Sequence, residues 1–114
     1  MAKVNEYPLF EQWYNTLNWI LDKVEKMPKS TRYSINNRIA NLAVDIIEMI
    51  TEAIYTKQKK HILHNINLHL EKLRIFFRLC KDRRYISVKQ YLYISTQLQE
   101  AGKMTGGWLK QCKE

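Results

Sequence analysis

Five cations fall within eleven residues of this 114-residue chain: Arg74, Arg78, Lys81, Arg83 and Arg84, with Asp82 the single acid among them. Arginine suits phosphate because its planar fork donates two parallel hydrogen bonds and its charge persists at physiological pH. Arg74, Arg78 and Lys81 recur at steps of four and three, the spacing of one helical flank, and Lys60, His64, Asn67 and Glu71 extend the same line towards the N-terminus. Arg83 and Arg84 carry the charge into the next turn, where Tyr85 offers a ring for base stacking. These residues predict a surface that grips the phosphates of a nucleic acid or nucleoprotein. No helix-turn-helix or RNA-recognition signature accompanies them, so binding is expected to be sensitive to salt and tolerant of sequence.

Other residue types that do chemistry lack the company they need. His61, His64 and His69 invite a metal reading, but a di-metal bundle places a Glu three residues before each ligating His, and none stands there. Asp45, Glu48 and Glu52 share one helical flank, where pairing with lysines or exposure to water is ordinary. Their alternative use is pairing with the basic helix of a neighbouring subunit. Gly-rich phosphate loops, nucleophile elbows and paired-cysteine motifs are absent from the sequence. A non-enzymatic chain without metal or cofactor is expected.

Helices must position this chemistry. Three glycines and two prolines are too few turn residues for a strand-rich fold of this length. Trp13, Leu17, Ile20, Val24 and Met27 mark one helical face, and Pro28 stops it, predicting a first helix over 9–27. A second helix is predicted over 31–56, with Ser30 or Ser34 as its cap. Its apolar face is double: Ile35, Ile39, Leu42, Ile46, Met49 and Ala53 lie beside Ala43, Ile47, Ile50 and Ile54. That exceeds the stripe one core needs, so it predicts either a central helix or a subunit interface.

A third helix is predicted over 57–83 with Leu63, Ile66, Leu70, Leu73, Phe77 and Cys80 inward, and a fourth over 87–111 with Ser87 as cap. Gly106-Gly107 near its end implies fraying, a helix stop or close approach of another backbone. Four long amphipathic segments joined by short connections predict an all-α, up-down-up-down four-helix bundle forming a single domain over 1–114.

Charge divides unevenly along the chain. Residues 1–56 hold six Lys/Arg against seven Asp/Glu, and residues 57–114 hold thirteen against four, out of a formal net charge of +8. A local excess of this size attracts polyanions. Cys80 and Cys112 are too few for a disulfide framework. The opening residues lack a signal peptide's apolar region, and no run approaches the ~18 apolar residues of a membrane span. A reduced, cytoplasmic protein with no membrane partner is expected.

Lys26-Met27-Pro28-Lys29-Ser30 with Arg32-Tyr33, then Leu70-Glu71-Lys72-Leu73-Arg74 with Arg78-Leu79, form an ordered series of short strings. Tyr85-Ile86-Ser87 with Lys89-Gln90-Tyr91, and the closing Gly102-Lys103-Met104-Thr105-Gly106-Gly107-Trp108-Leu109, continue it. Together they resemble the accessory variability determinant (Avd) proteins of diversity-generating retroelements, over roughly residues 10–111. The resemblance implies a four-helix bundle assembled into a positively charged homopentameric barrel. It implies a non-catalytic partner of the retroelement's reverse transcriptase that binds RNA or DNA and supports mutagenic retrohoming. It also assigns contacts to Arg74 and Arg78, and beyond them to Lys81, Arg83 and Arg84. The Avd proteins are similar to a wider group encoded in ribosomal-RNA intervening sequences, so the alternative is a bundle that binds ribosomal RNA or a protein partner. The Lys-Met-Pro-Lys-Ser turn and the Gly-Gly-Trp ending favour Avd.

Overall fold

Pro8 takes the first helical position, where its missing N–H leaves no bond unmade and its fixed φ suits the helix. From it α1 runs Pro8–Glu25 in the computed structural model, which describes residues 4–112. Leu9, Trp13, Thr16 and Ile20 form its buried face. The helix stops at Glu25, before Met27, because the Lys26 and Met27 amides bond three residues back, to the Lys23 and Val24 carbonyls at 3.0 and 3.2 Å. Met27 is buried all the same, as a plug beneath the turn.

The connection to the second helix is built around Asn36. A 3-10 turn, Lys29–Thr31, leads into a π-wound turn, Arg32–Asn36, and regular α2 begins only at Asn37 and runs to Tyr55. Neither Ser30 nor Ser34 caps it; the Ser34 hydroxyl donates to the Thr31 carbonyl at 3.3 Å. The buried Asn36 amide instead accepts from Thr31 Oγ1 at 2.7 Å and donates towards the Val24 and Pro28 carbonyls at 3.5 and 3.4 Å. Those bonds tie the first turn of α2 back to the end of α1, which the sequence pattern of apolar residues does not disclose.

Most of the wide face of α2 packs within the chain. Ile39, Ala43, Ile46, Ile50, Ala53 and Ile54 are buried, and Leu42, Ile47 and Met49 pack half-buried on the same core. α3 spans Lys60–Asp82 and α4 spans Val88–Gln111. α2 packs on α1 and α3, and α4 packs on α3 and α1, closing a four-helix bundle 44 × 21 × 21 Å. Trp13, fully buried, donates its indole N–H to the Ala43 carbonyl at 2.9 Å and so fixes the level of α1 against α2. Trp-sized core side chains contribute about 3–5 kcal/mol each, by the cost of truncating them.

Asp45, expected to find lysine or water, lies 3.4 Å from His69 Nε2, whose Nδ1 is 3.0 Å from the Asn65 carbonyl. Among the described residues there is no strand, and no helix is long and apolar enough to cross a membrane. The exposed large apolar side chains cluster on the other pair of helices: Leu68, Ile75 and Leu79 on α3, Val88, Leu92 and Tyr93 on α4. On α2, Val44 and Tyr55 are exposed as well.

Candidate nucleic-acid interface

α3 ends in a hydrogen-bonded reversal that fixes its cations. The Tyr85 amide donates to the Cys80 carbonyl at 2.8 Å and the Arg84 amide to the Lys81 carbonyl at 3.0 Å, the paired bonds of a Schellman motif. Its left-handed position, which favours glycine, is filled by Arg84 at φ 62°. Ser87 then caps α4 reciprocally: its hydroxyl accepts from the Gln90 amide at 3.0 Å, and the Gln90 side-chain oxygen accepts from the Ser87 amide at 2.9 Å. The corner between α3 and α4 is thus pinned at both ends.

Around it the side chains sort by engagement. Arg83 Nε donates to the Tyr85 hydroxyl at 2.8 Å, its guanidinium 5.5 Å from the ring centre, and that hydrogen bond raises the pKa of an already permanent cation. Lys81 stands 4.8 Å over the Tyr91 ring and 3.5 Å from Asp82. Arg78 and Arg84 are exposed, with no ion pair among the described residues. A groove of 780 Å³ opens beside Arg84, its lining including Lys81, Asp82, Tyr85, Tyr91 and Leu92.

A second set of cations lies at the same end of the bundle. The Cys80 thiol is 3.7 Å from the Met27 sulfur, which seats the α1–α2 turn against the end of α3. Lys26, Lys29 and Arg32 are exposed on that turn, with Lys23 one turn before it and Arg38 at the start of α2. Residues 22–38 and 78–89 together hold ten Lys/Arg against three Asp/Glu, a net of +7 out of the chain's +8. The rest of the chain is close to neutral.

The model of the bAvd-like family matches residues 9–112. The chain belongs to the bAvd-like family. No curated protein and no solved structure matches it. The family is that of the accessory proteins which the ordered strings resemble.

In this bAvd-like bundle Lys60 lies far from the other predicted site residues, and Arg74 differs from its neighbours in its contacts. Arg78, Lys81, Arg83 and Arg84 come together at the basic end. Arg74 sits further down α3 and is already engaged: its Nε, shielded from solvent, is 3.2 Å from Glu71 Oε1, off the line of a hydrogen bond. Its guanidinium lies across Gly102 of α4, 3.6 Å from where a Cβ would stand. Lys60 begins α3, about 30 Å from Lys81 at 1.5 Å per residue, and makes contacts of its own there.

Lys26, Lys29, Arg32 and Arg38 were missing from the sequence-derived site, although bundle topology signals them. In an up-down-up-down chain the first and third connections share an end. Among the described residues no group of three or more His, Cys, Asp or Glu is arranged to hold a metal ion.

Proposed function

We propose that this protein is the non-catalytic accessory factor of a diversity-generating retroelement, binding the reverse transcriptase and RNA or DNA and supporting mutagenic retrohoming. Its setting is the cytoplasm, and its working form is a homopentamer. The observation that supports nucleic-acid binding is the gathering of a net +7 onto one end of a bAvd-like bundle. A potential of that density draws polyanions and holds them by displacing their counterions. Self-association is supported by the exposed Leu68, Ile75 and Leu79 on α3 and Val88 and Leu92 on α4, an apolar surface that the single chain leaves open.

The role of each part follows from its engagement. Arg78 and Arg84 make phosphate contacts, and Lys81 and Arg83 present charge beside aromatic rings. The test is co-purification of the tagged protein with the reverse transcriptase encoded beside it, wild type against Arg78→Glu/Arg84→Glu. Association and RNA retention by the wild type, reduced in the variant, support the reading. A wild-type protein that associates with ribosomal RNA and ignores the polymerase moves it to the intervening-sequence group. A monomer by mass measurement in solution removes the barrel.

A further inference from the structure

We infer that the basic end takes single-stranded nucleic acid, with an unpaired base stacked on Tyr33 between the cations of the α1–α2 turn. Tyr33 is 85% exposed, more than any other large hydrophobic side chain among the described residues. It stands in the π-wound turn Arg32–Asn36, whose underside is anchored by buried Asn36 and half-buried Ile35 while Arg32, Tyr33 and Ser34 face outward. π-wound turns are rare and recur at functional sites. The backbone beneath the ring is therefore anchored, with Lys29 and Arg32 exposed on the same short turn to meet phosphates.

The choice of strand follows from what a ring and two turns can reach. A duplex keeps its base faces covered and offers an outward aromatic nothing but its ends. A single strand exposes those faces, and stacking accepts any base. This end of the bundle consists of two turns, so no helix or ribbon projects to enter a major groove. The other tyrosines at this end are partly occupied, Tyr85 by Arg83 and Tyr91 by Lys81, which leaves Tyr33 as the open platform.

The inference rests on the nucleic-acid reading proposed above, and its test separates the two. Fluorescence anisotropy compares an oligo(U) strand with a blunt RNA duplex of equal length. Tyr33→Ala is expected to weaken oligo(U) binding roughly tenfold and leave duplex binding unchanged, with Tyr33→Trp restoring the loss. Equal losses on both ligands, or no loss on oligo(U), overturn the stacking role. Arg32→Glu/Arg84→Glu is expected to weaken both ligands. Loss there with no effect of Tyr33→Ala removes the ring and keeps the basic end. A wild-type protein that binds neither ligand removes the proposed function itself.

Discussion

The Cys80 thiol, buried at the end of α3, meets the Met27 sulfur at 3.7 Å and so brings the first and third connections of the bundle into contact. Burial pushes the Cys80 pKa up to about 11 from 9.0, so the group stays a neutral thiol at physiological pH. The thiolate is the reactive form, and Cys80 is expected to resist alkylation in the folded protein while the half-buried Cys112 reacts first. Mass-resolved labelling with and without denaturant checks this; fast labelling of native Cys80 contradicts the packing.

The same shift sets a pH dependence. The folded state holds the thiol proton more tightly than the unfolded state, so its stabilising contribution is full below pH 9 and is lost as pH rises towards 11. The loss is on the order of 2–3 kcal/mol for a shift of this size. Urea unfolding across that range should show a steeper decline for wild type than for Cys80→Ala, which has nothing to ionise. Parallel declines would show that the thiol titrates alike in both states.

Arg84→Gly separates stability from binding. Glycine adopts the left-handed conformation at φ 62° without the steric penalty that arginine bears. The variant should gain about 1 kcal/mol, or about 4 °C in Tm, and lose affinity for nucleic acid through the missing cation. A fall in Tm would mean that the arginine side chain itself supports the corner.

Charge reversal at Arg78 and Arg84 tests the contact mode. Each phosphate contact removed should lower the slope of log K against log salt by about one. The double variant is therefore expected to lose most of its affinity at low salt and little at high salt. A uniform loss at all salt concentrations would point to misfolding or to base-specific contacts.

Gly106 and Gly107 sit inside an unbroken helix, and a Cβ at either would meet nothing within 4 Å in this chain. Alanine at each should raise the stability of the isolated chain by about 1 kcal/mol. Under the pentameric reading the pair admits a neighbouring backbone, so Gly106→Ala/Gly107→Ala should also lower the mass observed in solution. Unaltered assembly would place the interface elsewhere.

The helices were legible because their faces repeat cleanly: Leu63, Ile66, Leu70, Leu73, Phe77 and Cys80 are all buried as their spacing predicts. Ser87 was legible as a cap because its reciprocal partner, Gln90, lies three residues on. The π-wound turn was not, since it depends on Asn36 bonding to carbonyls of residues 24 and 28, and a lone Asn carries no periodic signal. The placing of the candidate site's charge was legible in part. Dividing charge between the two halves of the sequence assigned the excess to residues 57–114, whereas helical connectivity assigns it to one end and recruits Lys26, Lys29 and Arg32.

A bundle nearly neutral along its length with +7 at one end is an electric dipole as well as a cation. Copies ranged side by side in the same direction would crowd their charged ends, and the repulsion would oppose their assembly. A polyanion laid across those ends would lift that opposition, so under the proposed function polymer binding and subunit association share one coupling free energy. By reciprocity, the factor by which a polyanion would tighten such an assembly equals the factor by which assembly would tighten the polyanion.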